Sequence, residues 1–190
     1  MVEHILDRVA PICISVINMK GGVGKTTITA LLARQAAMIG LDTLVVDLGP
    51  QANMSQAFMG KYGYQRFLND GSPSIVEIFN GYRAPTLGNS SPTQTIIDDV
   101  VRSVGNNLDI IPSRFDFSDN LINSMRTDER ILARLIASDF QEKDLIFIDC
   151  APTESIFTQA AYHASRLILV PVRPEFFATI GFPLGIIYFT

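Results

Sequence analysis

Two lysines five residues apart, set among three glycines and two threonines, make Lys20-Gly21-Gly22-Val23-Gly24-Lys25-Thr26-Thr27 the densest concentration of anion-binding chemistry in the sequence. Glycines let backbone N–H groups close around phosphate oxygens. Lys25 supplies a point charge suited to a β/γ-phosphate, and the Thr26 hydroxyl is of the type that holds Mg²⁺. The chain has only four lysines, two of them in this loop, which makes a merely solvated glycine turn the poorer explanation. Two acids close apolar runs elsewhere in the chain. Asp47 ends the apolar run Thr43–Asp47, and Asp149 follows the apolar residues Leu145–Ile148.

The positions of these residues depend on the elements that carry them. Apolar runs at Ile12–Ile17, Thr43–Asp47, Leu108–Ile111, Leu145–Ile148 and Leu167–Val172 read as strands. Their hydrophobicity is continuous rather than alternating, the pattern of parallel strands covered on both faces. The glycine loop follows the first of them and opens a helix, the order that turns a pattern match into a mechanism. In that helix Ile28, Leu31, Leu32, Gln35, Ala36 and Ile39 keep the i, i+3, i+4, i+7 spacing of a buried face and stop at Gly40. Ser74 with Glu77 is a capping box that announces a second helix. Ile131, Leu132, Leu135 and Ile136 mark a third, and residues 81–95 (GYRAPTLGNSSPTQT) read as a surface loop. The expected architecture is a single α/β domain with a mostly parallel twisted sheet flanked by helices, and the ligand at the C-terminal edge of its strands.

Composition narrows the classes. The 190 residues are 47% hydrophobic and 18% charged with a net charge of −4, enough for a core and against bulk-charge coating of nucleic acid. Cys13 and Cys150 sit in apolar runs and cannot form a disulfide framework, so buried thiols in a reducing compartment are expected. Met1–Ala10 lacks the apolar core of a secretory signal. Ile180–Phe189 is broken by Gly181, Pro183 and Gly185 and is too short to span a bilayer. Its apolar end suggests that the C-terminal part of the domain is missing.

Residues 20–27 resemble throughout the deviant Walker A loop of the ParA/MinD P-loop ATPases. Position 19, where the ordinary Walker pattern has its first glycine, is Met19. In that family the early lysine, matched by Lys20, reaches the partner's nucleotide across an ATP-sandwich dimer. Val46-Asp47-Leu48-Gly49-Pro50-Gln51-Ala52-Asn53 is similar to the D-x-D-P-Q-x-N signature of ParA-type partition ATPases, whose Pro-Gln-x-Asn part separates them from MinD. Leu145–Asp149 with Pro152 resembles a Walker B strand and switch II. Leu108–Ser113 and Pro171–Phe177 also look like ParA segments in the expected order, so the likeness covers roughly residues 11–184.

The resemblance implies ATP and Mg²⁺ as ligands. It assigns Lys20, Gly21, Gly22, Val23, Gly24, Lys25, Thr26 and Thr27 to the nucleotide, Thr26, Asp47 and Asp149 to the metal, and Lys20, Lys25 and Asp47 to catalysis. It further implies an ATP-dependent homodimer, non-specific DNA binding, a centromere-binding ParB-like partner, and a cytoplasmic, nucleoid-associated protein without membrane attachment. One departure touches the chemistry. The second Asp of D-x-D, credited in the family with orienting the attacking water, is Gly49 here, so binding is expected to survive with impaired hydrolysis. A non-hydrolysing nucleotide-binding regulator of the same fold is therefore the alternative. Ala52, where relatives usually carry Gly, is a smaller departure.

The remaining features weigh less. Arg126, Arg130 and Arg134 would form one DNA-facing stripe if they shared a helix, against the plainer reading of a solvated face paired with Asp128 and Glu129. With so few residues before the first expected strand, an N-terminal helix-turn-helix domain is not expected. A MinD-like membrane role would need a basic amphipathic tail. His4 and His163 lack metal-ligand company, no G-x-S-x-G elbow supports a serine nucleophile, and Cys13 and Cys150 are misplaced for an iron–sulfur cluster.

Overall fold

The computed structural model describes residues 10–81, 93–115 and 128–173. Its strands are β1 (Ile12–Val16), β2 (Thr43–Asp47), β3 (Arg102–Gly105), β4 (Leu108–Ile111), β5 (Leu145–Asp149) and β6 (Leu167–Leu169). They form one six-stranded sheet in the order β3-β4-β2-β5-β1-β6. All neighbours are parallel except the edge pair β3·β4. The helices are α1 (Lys25–Met38), α2 (Asn53–Asn69), α3 (Ile75–Gly81), α4 (Thr93–Val100), α5 (Ile131–Asp139) and α6 (Ile156–Ala164).

Because successive strand residues point to opposite faces, each central strand feeds two cores. Val45, Ile110 and Phe147 meet Ala33, Ala36 and Ala37 of α1 and Met54 of α2. Leu44, Val46, Ile111, Ile146 and Ile148 face the other way, onto α3, α4, α5 and α6. There Phe79 and Phe157 meet edge to face with ring centroids 4.5 Å apart. Coverage on both faces explains why the central strands lack polar alternation.

The capping box forms as expected. Glu77 Oε2 accepts from the Ser74 N–H at 2.6 Å, and Ser74 Oγ accepts from the Val76 N–H at 3.2 Å. Three expectations change. The buried stripe of α1 is Lys25, Thr29, Ala33, Ala36 and Ala37, whereas Leu31 (62% exposed), Leu32 and Ile39 face outward. Small side chains let α1 lie close on the sheet, and bulky ones there would lift it away. The last strand covers only Leu167–Leu169 of the expected Leu167–Val172, and its three residues are exposed at the sheet edge. Within the segment read as a loop, residues 93–95 already belong to α4; residues 82–92 lie outside the described residues.

At the end of the sheet opposite the glycine loop, the buried Lys143 donates from Nζ to Asp42 Oδ1 (2.8 Å) and Asp109 Oδ2 (2.7 Å). Burial works against its charge, but the bonds to Asp109 and Asp42 outweigh it and hold its pKa above the ordinary lysine value.

Candidate phosphate-binding site

β1 delivers the chain into the glycine loop, where Gly22 and Gly24 take φ of +70° and +88°. A β-carbon is strained there, which is why glycine stands at both positions. Gly24 is also the N-cap of α1, and no side chain caps that end. The first amides of the helix are therefore presented to the loop without a side-chain acceptor, the arrangement that suits an anion. Asn18 braces the entry: its Oδ1 accepts from the Lys20 N–H and its Nδ2 donates to Pro171 O, both at 2.8 Å. Lys25 is buried at the base, and its Nζ donates to Lys20 O at 3.2 Å, closing the loop on itself. Burial lowers the Lys25 pKa, with the Asp149 carboxylate opposing that shift.

The two acids arrive on neighbouring strands. In the parallel register Asp149 lies beside Val16 on one side and Asp47 on the other, so the ends of β1, β5 and β2 converge under the loop. Thr26 donates its hydroxyl to Asp149 Oδ2 at 2.7 Å. Asp149 Oδ1 is buried and has no hydrogen-bond partner among the described residues. Burial first, and the Asp47 carboxylate second, push the Asp149 pKa up to about 7. A hydroxyl and an unpartnered buried carboxylate oxygen side by side are hard oxygen donors of the kind Mg²⁺ takes.

Asp47 is engaged differently. It is fully buried, its Oδ2 accepts from both the N–H (2.8 Å) and the hydroxyl (2.7 Å) of Ser55, and its Oδ1 accepts from the Gly49 N–H (2.9 Å). Burial raises its pKa and these bonds oppose the rise. Ser55 Oγ accepts in turn from the Ser113 N–H (2.8 Å), and Ser113 Oγ donates to Gly49 O (2.8 Å). This serine pair fixes the turn between β2 and α2 against the end of β4. Neither serine is legible as a site residue in the sequence, because the signal is a long-range contact rather than a spacing. At Gly49 a β-carbon would meet Asp47 Oδ1 at 3.2 Å. Ala52 takes a left-handed φ of +49°, a conformation that favours glycine, and is wholly buried.

The family described as an AAA domain (AAA_31) matches residues 12–186. The chain belongs to this family, the ParA/MinD-type P-loop ATPases. Among its relatives is the sporulation initiation inhibitor protein Soj of Bacillus subtilis, 30% identical over 88% of this chain and 60% of that protein. The chromosome-partitioning ATPase Soj of Treponema pallidum is 30% identical over 88% of this chain and 59% of that protein. The chain thus spans about three-fifths of the length of these curated relatives. Among solved structures, a plasmid partition protein of Borrelia burgdorferi bound to AMPPNP superimposes with a TM-score of 0.76 at 24% identity, covering 94% of this chain and 70% of that one. The septum site-determining protein MinD of Pyrococcus horikoshii with Mg-ADP gives 0.69 at 23%, covering 94% and 65%. At these identities the two structures speak for the fold, a P-loop sheet with the same layering.

Other candidates stand apart from the ParA/MinD-type loop. The arginine stripe does not form one helix: α5 begins at Ile131 and Arg130 is its N-cap, its N–H bonded to Asp128 Oδ1. Arg134 pairs with Asp128, and Arg126 lies outside the described residues, as does His4. His163 is exposed against Glu129 at 3.2 Å. Cys13 and Cys150 are buried thiols, and burial pushes Cys13 up to about 11. No helix among the described residues is long and apolar enough to cross a membrane.

Proposed function

We propose that the chain binds MgATP in the glycine loop and works as an ATP-switched partition protein in plasmid or chromosome segregation. The observation that carries this reading is the buried Asp149 Oδ1, without a partner among the described residues, beside the Thr26 hydroxyl and at the foot of a loop closed by Lys25. The amides of Gly21, Gly22, Val23 and Gly24, with those of Lys25, Thr26 and Thr27, hold the phosphates, and Lys25 exchanges its bond to Lys20 O for a phosphate oxygen. Thr26, Asp149 and Asp47 are the residues that would hold the metal, with Asp47 anchored by Ser55 and Gly49. Magnesium, when bound, offsets charge on the β- and γ-phosphates.

Lys20 serves a second copy of the chain, which makes the working species a homodimer with nucleotide between the subunits. An added cation where charge develops is the logic of an arginine finger. Non-specific DNA and a ParB-like centromere-binding protein are the partners this reading supplies, in keeping with the relative from Treponema pallidum, a chromosome-partitioning ATPase. Gly49 has no side chain to orient an attacking water, so turnover is slow and the ATP-bound dimer long-lived. That feature also favours the second reading, a non-hydrolysing regulator built on the same binding site. Phosphate release from the Gly49→Asp variant should exceed that of the natural sequence by about a hundredfold; equal, robust rates in both would contradict the role of this position.

Sedimentation velocity tests the switch. With MgATP the protein is expected to sediment as a dimer and with MgADP as a monomer. Lys20→Ala is expected to stay monomeric in MgATP while still binding it. A monomer under every condition would count against the sandwich.

A further inference from the structure

Arg173, in the segment that leaves β6, meets the glycine loop at Gly22. A β-carbon on Gly22 would lie 3.7 Å from Arg173 Nη2, so the guanidinium stands against the loop's own backbone. The segment is fixed there by hydrogen bonds rather than by chance proximity. The Ile17 N–H donates to Leu169 O at 3.0 Å, and Asn18 Nδ2 donates to Pro171 O at 2.8 Å. The same Asn18 accepts from the Lys20 N–H at 2.8 Å, so one side chain ties the loop entry and the arginine-bearing segment together. Gly22 itself is left-handed, the conformation in which successive N–H groups converge on an anion.

We propose that Arg173 is a further nucleotide-binding residue, its guanidinium donating to an oxyanion of the polyphosphate chain that the loop amides hold. The inference rests on the nucleotide reading above and adds to it a cation from a different part of the sheet. Arginine suits the task because its planar fork can grip two phosphate oxygens and stays charged at any working pH. Glycine at position 22 completes the fit, since a side chain there would project toward the guanidinium.

Calorimetry on the full chain tests the assignment with two probes, MgATP and magnesium tripolyphosphate, and three proteins: the natural sequence, Arg173→Met and Arg173→Lys. Arg173→Met is expected to weaken both probes by about tenfold or more, the loss of one charge-assisted hydrogen bond. Arg173→Lys is expected to recover part of that loss, keeping the charge without the fork. The melting temperature without ligand is measured for all three, so that a loss of binding is read only from variants that remain folded at the temperature of the titration. Undiminished binding of both probes by Arg173→Met would overturn this inference alone. A loss confined to MgATP would also overturn it, by assigning the guanidinium to the base or ribose. Failure of the natural sequence to bind either probe would overturn the nucleotide reading and this inference with it.

Discussion

Asp149 and Asp47 end neighbouring strands in the same register, yet three hydrogen bonds fill Asp47 while one oxygen of Asp149 has no partner among the described residues. The difference has a pH consequence in protein free of magnesium and nucleotide. Folding raises the Asp149 pKa from 3.8 to about 7, so between those values the folded chain binds a proton that the unfolded chain has released. Stability from this group therefore falls as pH rises through that window, by about 1.4 kcal/mol per pH unit at most. Urea denaturation of Asp149→Asn against the natural sequence should show an advantage for the variant that widens from pH 5 to pH 8; a constant difference would contradict the shift. Both acids were legible in the sequence through their likeness to the D-x-D and Walker B segments of the family, an apolar run ending in Asp being a weak signal by itself. Ser55, which decides how Asp47 is used, was not, because its partner lies eight residues away across a turn and its second contact, Ser113, is 58 residues distant. The strain at Ala52 is hidden in the sequence for a related reason: backbone hand is invisible in a residue name, and only the structure shows a β-carbon in a left-handed turn.

Helix α1 shows how a correct element can carry a wrong face. Its spacing predicted a helix that ends near Gly40, and the helix is there. The leucines nevertheless point outward, because Thr29, Ala33, Ala36 and Ala37 line the approach to the sheet and keep α1 close beneath the glycine loop. Hydrophobicity alone ranks Leu above Ala for burial, whereas close packing of a helix on a sheet selects for small volume. Leu31→Gln should accordingly change stability by no more than about 0.5 kcal/mol. Ala33→Leu should cost about 1–3 kcal/mol through overpacking. Thermal denaturation giving the reverse ranking would restore the face read from the sequence. The antiparallel β3 and the long helix α2 are not legible in the sequence. β3 is an exposed edge strand with alternating burial, and α2 is interrupted by Gly60 at a φ of +68°. Neither offers a continuous apolar signature.

Across the whole molecule, the fold converts sequence-distant segments into one site. β1, β2 and β5 lie side by side although their residues come from positions 12, 43 and 145 onward, and the β6 exit returns to the loop through Asn18 and Pro171. The glycine loop and the two acids could be read without that topology, as could the parallel sheet. Their mutual register, the closure of Lys25 onto Lys20 O and the approach of Arg173 could not, because they depend on strand order. The account stands on the loop's capacity for a triphosphate. Calorimetric titration of the natural protein and of Lys25→Ala with ATP in magnesium tests it most directly. Saturable binding by the former and its loss in the latter, without loss of the folded state, is the predicted result. Absence of binding in both, or equal binding in both, would contradict it.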